Sequence, residues 1–428
     1  MYYEEEEEEG ENGEESTGPS PVTSLVPILR SHDGKVQRIA IHPVLPSIFA
    51  TTSADKTVRL WNCSVHLLQQ ISFFKLNDAS TCICFSHDGL HLAIGNDSGE
   101  LCVYETDLLT TLINGTITID SLANGDGLAT SHNWILIYRR NIIAKTGAAA
   151  AVVQVGGVPV GSDGSRGSKK KNRKHEVTEL RYSGCGNYLA LGCKDNLIHV
   201  LSVHQHYRHA AVCRGHSSFI RSIDFSLDCR IIQAADAARE LLYWDTSTGH
   251  QVTHAADFKD EEWSTWSAIY GWPVQGVLNG DMSKAVVNGA DNGSPSHSHI
   301  TSNTSHSSHT DKGHNSQRSV PVHSMPSYSL DGEINCVSRS PDGALLVAGG
   351  SHTVNKAIKL FNYPCLAHCS PSLHGGHTSP VLDVAFTRYD ASKAKVKDSS
   401  GDDRNRAHVI SVGGNDCCVF VWNVVPMD

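Results

Sequence analysis

The sequence has no long hydrophobic run and little charge of either sign. Its 428 residues include only 7% aromatic and 19% charged side chains, and the formal net charge is -10 at pH 7. The longest weakly polar stretch, residues 147–161, is interrupted by glycine and proline. It is also shorter than the roughly 20 residues that a membrane helix needs. We therefore expect no membrane partner.

The N-terminal segment lacks the basic start and apolar run of a secretory signal. Residues 1–20 are instead acidic, with a glutamate tract from Glu4 to Glu9. Like charges without hydrophobic periodicity predict a disordered acidic tail over 1–20. The 13 cysteines are scattered, several of them on predicted strands, which is typical of a reduced protein and predicts a cytoplasmic location.

The net charge of -10 disfavours a mainly nucleic-acid role, since phosphate binding requires a concentrated positive face. We also find no Gly-rich phosphate loop, no nucleophile elbow and no Cys/His set with metal-ligand spacing. These absences predict no nucleic-acid partner, no cofactor, no metal and no catalytic residue. A His-rich segment leaves a transition-metal site open in principle, although its irregular spacing favours a solvated linker; its histidines are His297, His299, His306, His309 and His314.

One cadence recurs along the chain: a histidine turn is followed by a strand, a tight turn and a second strand that ends in an aromatic residue. It is most complete from His32 to Trp61, where the closing strand reads Thr-Val-Arg-Leu-Trp. It returns from Gly215-His216 to Trp244 and, near the C-terminus, from Gly376-His377 to Trp422. The pattern resembles the blade of a WD40 β-propeller, a small antiparallel sheet repeated around a ring.

Four residues of the first blade can form a buried hydrogen-bonded chain, namely His32, Thr51, Asp55 and Trp61. A buried indole N–H and a buried turn need partners, which the hydroxyl, the imidazole and the carboxylate can supply. The same residue types occur in catalytic triads, but the surrounding repeat favours a structural tetrad. We therefore predict that these residues hold the blade together and that the chain is not an enzyme.

The spacing of the closing residues sets the repeat, since Trp61 and Tyr104 lie about 43 residues apart, within the WD40 period. Three insertions exceed this period and are predicted at about 123–173, 279–327 and 391–406. Within the first insertion, residues 134–138 have the pattern of an extra strand. The remaining chain, 21–428, is predicted to be one all-β domain, a WD40 β-propeller of seven blades, some of them atypical.

Two segments decide how the ring closes. The apolar stretch 22–29 precedes the first histidine turn and can pair with the C-terminal blade. Residues 261–277 contain three tryptophans but no blade cadence. We interpret them as an atypical pair of strands in the ring, with a partner-binding aromatic patch as the alternative.

Several motifs, in this order, resemble the echinoderm microtubule-associated protein-like family. They are Cys-Lys-Asp-Asn-Leu-Ile-His-Val (193–200), Cys-Arg-Gly-His-Ser-Ser-Phe-Ile-Arg-Ser-Ile-Asp-Phe-Ser (213–226), Leu-Leu-Tyr-Trp (241–244), Glu-Trp-Ser-Thr-Trp (262–266), Ile-Lys-Leu-Phe-Asn-Tyr-Pro (358–364) and Gly-Gly-His-Thr-Ser-Pro-Val (375–381). Members of that family carry two joined propellers and bind microtubules or tubulin. The present chain resembles their second, C-terminal propeller.

The resemblance implies a microtubule- or tubulin-associated WD40 adaptor of the cytoskeleton, bound directly or through microtubule-associated proteins. A basic run in the first insertion suits the acidic tails of tubulin; its charged residues are Lys169, Lys170, Lys171, Arg173 and Lys174. A solvated charge run and a nuclear-localisation-like patch are the alternatives for that segment. For the whole chain, the alternative is a general WD40 scaffold in signalling or ciliary assemblies that does not touch tubulin.

Overall fold

The computed structural model describes residues 25–26, 31–63, 68–115, 134–142, 176–278, 334–351, 356–366, 369, 371–388 and 407–424. These residues form six antiparallel sheets of four strands each, which confirms the all-β WD40 propeller fold. The acidic tail, the His-rich segment, the basic run and most of the three insertions lie outside the described residues. No helix of the described part is long and apolar enough to cross a membrane.

The first three blades are continuous in sequence apart from the first insertion. The first blade contains β2 (Val36–Ile41), β3 (Ile48–Ser53), β4 (Thr57–Asn62) and β5 (Gln69–Lys75). The second contains β6 (Ser80–Phe85), β7 (His91–Asn96), β8 (Glu100–Thr106) and β9 (Trp134–Asn141), with helix α1 (Asp107–Ile113) after β8. The third contains β10 (Val177–Tyr182), β11 (Tyr188–Cys193), β12 (Ile198–Ser202) and β13 (Arg208–Cys213). The extra strand expected near residue 134 is therefore the outermost strand of the second blade.

The last three blades follow the same plan. The fourth contains β14 (Ile220–Phe225), β15 (Ile231–Asp236), β16 (Leu241–Asp245) and β17 (Gln251–Val252). The fifth contains β18 (Ile334–Arg339), β19 (Leu345–Gly350), β20 (Ile358–Asn362) and β21 (Ser372–His374). The sixth contains β22 (Val381–Phe386), β23 (His408–Gly413) and β24 (Val419–Asn423), and its fourth strand is the N-terminal β1 (Leu25–Val26).

Pairing of β1 with β24 confirms the closure expected from the apolar stretch 22–29. Leu25 lies opposite Trp422 and Val26 opposite Val421. Closure matters physically because an open sheet edge leaves a row of unpaired backbone groups. The two ends of the chain thus complete one sheet.

Except between β14 and β18, the first strands of neighbouring blades contact one another closely. Several hydroxyl and amide side chains cross from one blade to the next there: Thr81 donates to the Val177 carbonyl at 2.5 Å and Thr178 to the Ile220 carbonyl at 2.6 Å. Asn335 makes the equivalent bond from the fifth blade to the sixth, at 2.9 Å from the Val381 carbonyl. Such bonds join the side chain of one blade to the backbone of the next and so link the blades directly.

The interpretation of residues 261–277 as a pair of strands is wrong, and seven blades are not confirmed. Within 255–278 the described chain forms short 3-10 turns at Ala255–Phe258 and Trp272–Val274 and the single helical turn α2 (Gln275–Leu278). Its one contact of strand type is an isolated bridge between Ser226 and Trp263. In this segment, side-chain hydrogen bonds take the place of strand pairing: Asp224 accepts hydrogen bonds from Thr265 and Ser267.

The three tryptophans of this segment differ in exposure, which leaves only the third available to the alternative of a partner-binding patch. Trp263 and Trp266 are each 5% exposed and pack in a core cluster that joins residues of the fourth and fifth blades. Trp272, by contrast, is 46% exposed. The first two rings therefore serve packing between blades.

Candidate functional site

The structure brings the four predicted residues of the first blade together. His32 Nδ1 lies 3.0 Å from Asp55 Oδ2, and His32 Nε2 lies 2.8 Å from Thr51 Oγ1. Trp61 donates its indole N–H to the same Thr51 oxygen at 2.8 Å. These partners are all satisfied when His32 carries its proton on Nδ1 and accepts the Thr51 hydroxyl proton at Nε2.

The charge states and the burial of these residues limit the chemistry of the tetrad. Burial would raise the pKa of Asp55, but hydrogen bonds from Thr57 and His32 outweigh it and lower that pKa to about 2. Burial lowers the pKa of His32, so the ring is neutral near pH 7. Thr51 is fully buried and its oxygen already has two partners. A hydroxyl so enclosed has no position from which to attack a substrate.

A second complete tetrad, which the sequence analysis did not identify, lies in the sixth blade. His377 Nδ1 is 2.9 Å from Asp416 Oδ2, His377 Nε2 is 2.9 Å from Ser411 Oγ, and Trp422 donates to that oxygen at 2.8 Å. The turn that carries Asp416 is one residue longer than in the first blade, which hid the match. The Gly-His turn at His377 and the closing Trp422 are the sequence features from which this tetrad could have been predicted.

In the fourth blade the tetrad is incomplete. In the first and sixth blades, the hydroxyl residue lies opposite the residue two positions before the closing tryptophan. In the fourth blade, Ala234 occupies that position. Trp244 therefore donates to the Arg214 carbonyl at 3.3 Å. The ring of His216 is buried, with Nδ1 3.3 Å from Asp236 Oδ2, and its Nε2 has no hydroxyl partner like those of the other two blades.

Replacing Ala234 with serine is expected to stabilise the protein by about 1 kcal/mol, because the new hydroxyl would bond the indole of Trp244 and the ring of His216. Urea unfolding followed by tryptophan fluorescence measures the change. Ala235→Ser is the matched control: Ala235 is equally buried but belongs to the apolar cluster around Trp263 and Trp266. The control is expected to lose stability, and equal losses in both variants would contradict the proposed role of the tetrad.

Two groups among the described residues have three metal-ligating side chains close together. One is Cys193, Asp195 and His199, and the other is His216, Asp236 and Glu240. In the first group, His199 is already hydrogen bonded to Asp195 at 3.2 Å. In the second, the carboxylates accept hydrogen bonds from the backbone N–H groups of the histidine turn. Both groups therefore have a structural use in the turns that carry them.

The predicted basic run, Lys169 to Lys174, lies outside the described residues. Within the described part, exposed cations of the first and fourth blades lie on the loops before the first strand and on the turns between the second and third strands, at one end of the blades. We call this end of the blades the His-turn face. Its exposed cations are Lys35, Lys56, Arg214 and Arg239. An exposed aromatic, Phe219, also lies there, with the Lys194 ammonium 5.8 Å from its ring centroid.

Comparison with known proteins agrees with this geometry. A family model described as the echinoderm microtubule-associated protein second beta-propeller matches residues 153–307. A model of the WD domain, G-beta repeat, matches residues 23–62 and 319–362.

Three relatives illustrate the extent of the similarity. Echinoderm microtubule-associated protein-like 3 of Homo sapiens is 23% identical over 404 residues, covering 93% of this chain and 31% of the relative. Echinoderm microtubule-associated protein-like 2 of Mus musculus is 25% identical, covering 93% of this chain and 43% of the relative. The 77 kDa echinoderm microtubule-associated protein of Strongylocentrotus purpuratus is also 25% identical, covering 93% and 40%.

The chain thus spans less than half the length of these relatives. The expected resemblance is confirmed: the chain resembles the echinoderm microtubule-associated protein-like WD40-repeat family, and the family model that it matches describes the second propeller.

Proposed function

We propose that this propeller is a non-enzymatic adaptor of the cytoplasmic cytoskeleton that associates with microtubules, with tubulin or with proteins bound to them. The observation that carries the proposal is similarity over 93% of the chain to proteins named as microtubule-associated. A closed ring of small sheets is suited to such a role, because it presents loops on a rigid frame.

The non-enzymatic part of the proposal rests on the tetrads. His32, Asp55 and Thr51 have the order of a catalytic triad, but the Thr51 oxygen accepts the Trp61 indole N–H inside the blade. The same holds for Ser411 in the sixth blade. In both blades the hydroxyl satisfies a buried indole, which is a structural task.

For the contact with tubulin we propose two cationic elements. One is the basic run with Lys169, Lys170, Lys171, Arg173 and Lys174. The other is the His-turn face, where Arg214 and Arg239 are exposed beside Phe219. The acidic tails of tubulin would be attracted to both, and ionic strength would screen that attraction.

Co-sedimentation with microtubules over a salt series tests this proposal. The wild-type chain is expected to pellet at low ionic strength and to be released as salt increases. Neutralising the five charges of the basic run is expected to weaken binding about tenfold at low salt and to flatten the salt dependence. Neutralising Lys35, Lys56, Arg214 and Arg239 tests the His-turn face in the same way.

A control variant changes charge on the opposite end of the blades. Arg208 and Arg388 are exposed there, and their replacement by glutamine is expected to leave pelleting unchanged. If all three variants pellet like the wild type, neither cationic element is the contact. If the wild type itself does not pellet at any salt concentration and its captured partners lack tubulin, the general scaffold function replaces the proposal.

A further inference from the structure

The turns between the first and second strands share one construction in the second, fourth and fifth blades. Each begins with a serine whose hydroxyl donates to an aspartate two residues later: Ser86 to Asp88 at 2.5 Å, Ser226 to Asp228 at 2.6 Å and Ser340 to Asp342 at 2.5 Å. The same carboxylate oxygen also accepts a backbone N–H from two residues further on. Each turn therefore surrounds the aspartate carboxylate with hydrogen-bond donors, an arrangement that we call the cradle.

In the third blade a cysteine occupies the place of the aspartate. Ser183 lies with its hydroxyl 3.3 Å from the sulfur of Cys185, and Cys185 is exposed to solvent. Burial would raise the pKa of Cys185, but hydrogen bonds from the Ser183 hydroxyl, the Asn187 backbone and the Cys229 thiol outweigh it and lower the pKa. A cradle that holds a carboxylate in the other blades here favours a thiolate, the reactive form of cysteine.

The neighbouring turn, in the fourth blade, has a second substitution. Its fourth residue is Cys229, with φ +63°, where the turns of the second, third and fifth blades have Gly89, Gly186 and Gly343 at +70° to +76°. A side chain in the left-handed region costs conformational energy that glycine avoids. The Cys229 thiol has a partner in the next blade, because the backbone N–H of Cys185 donates to its sulfur at 3.3 Å.

We propose that Cys185 and Cys229 form an oxidation site at which a peroxide joins the third and fourth blades by a disulfide. The two residues are 44 positions apart in sequence but their turns touch. The backbone nitrogen of Cys185 lies 3.3 Å from the Cys229 sulfur, so the two turns are close neighbours, as a disulfide between their cysteines requires. The proposal is independent of tubulin binding.

The chemistry proceeds in two balanced steps. The thiolate of Cys185 attacks one oxygen of hydrogen peroxide; the sulfur–oxygen bond forms, the oxygen–oxygen bond breaks, and hydroxide leaves. Sulfur is oxidised to a sulfenic acid and peroxide is reduced. Cys229 then attacks that sulfur; the sulfur–sulfur bond forms, and the sulfenic hydroxyl leaves as water with the Cys229 proton. Burial and its hydrogen bond to Cys185 raise the pKa of Cys229, which suits it to the second, resolving step.

Peptide mapping of the full chain tests the proposal. The reduced protein is treated with excess hydrogen peroxide, quenched, blocked with N-ethylmaleimide in denaturant, and digested with trypsin without reduction. The expected product links peptide 182–194 to peptide 222–230, with one maleimide on Cys193, which shares the first peptide. Recovery of both peptides as fully alkylated thiols, or a link from Cys185 to Cys193, would overturn the proposal.

Two variants restore the residues of the other turns and are therefore expected to fold. Cys229→Gly returns glycine to the left-handed position, and its Cys185 should be trapped by dimedone as the sulfenic acid. Cys185→Asp returns the carboxylate to the cradle, and its Cys229 should remain a free thiol after peroxide. If dimedone labels Cys229 in Cys185→Asp as strongly as Cys185 in Cys229→Gly, the assignment of the attacking thiol is wrong.

Discussion

Replacing Gly192 with valine is expected to destabilise the protein by about 3 kcal/mol, the upper range for overpacking a filled interior. A Cβ atom at Gly192 would lie 2.6 Å from Ile220 Cγ2 and 2.7 Å from Ile220 Cβ, on the first strand of the next blade. Gly95 and Gly349 have the same relation to Val177 and Val381. The three glycines therefore mark where one blade rests against the next.

Urea unfolding of wild type and variant measures this loss. Valine favours strands more than glycine does, so the local propensity would stabilise the variant and only packing opposes it. Gly375→Val is the matched control, because a Cβ there would have no heavy atom within 4 Å. Equal stability of the wild type and Gly192→Val would show that the blades can separate without cost.

Acid is expected to weaken the fold through His42, which joins the first and second blades. Its Nε2–H donates to the Gly89 carbonyl at 3.0 Å, and its Nδ1 accepts the backbone N–H groups of Val44 at 3.2 Å and Leu45 at 2.9 Å. Burial lowers the pKa of His42 from 6.5 to about 4. A proton on Nδ1 would remove the acceptor that holds the loop.

Proton binding at His42 determines whether stability rises or falls with pH. Between pH 6.5 and 4 the unfolded chain binds a proton at His42 that the folded protein does not, so stability falls as pH falls. The contribution of His42 is fully present above pH 6.5, and its loss reaches about 3 kcal/mol near pH 4. Urea unfolding at a series of pH values measures it, because His42→Asn should lower stability at pH 7 but remove this part of the pH dependence.

His254→Asn provides the control, since His254 is exposed and caps its short helical turn with no side-chain hydrogen bond. Its stability profile should run parallel to that of the wild type. Parallel profiles for His42→Asn and the wild type would mean that His42 does not control acid sensitivity.

Much of the fold could be predicted because its signals are local. The apolar alternation of residues 36–41 predicts a strand, and the structure has one with those bounds. The closing strand Thr57–Asn62 extends the predicted Thr-Val-Arg-Leu-Trp by a single residue. The first tetrad followed from the same cadence, because turn chemistry and strand alternation place His32 and Trp61 at fixed positions. Pairing of β1 with β24 was also expected, since a ring requires its ends to meet.

Prediction failed where contacts between blades replaced local pattern. Residues 261–277 have the aromatics of strands, but Asp224 of the fourth blade accepts hydrogen bonds from Thr265 and Ser267, and the segment forms turns. The sixth-blade tetrad was missed because one additional turn residue separates Ser411 from Asp416, compared with the spacing of Thr51 and Asp55. In the first case the deciding partner, Asp224, lies far away in the sequence.

The sequence by itself determined the repeat, the strands within each blade and the residue types of the tetrad, because these depend on neighbours within about 43 residues. Only the tertiary structure decided which turns touch. Cys185 and Cys229 are ordinary turn residues when each blade is considered alone. They become a pair because the ring sets consecutive blades side by side and brings the backbone N–H of one turn to the sulfur of the next.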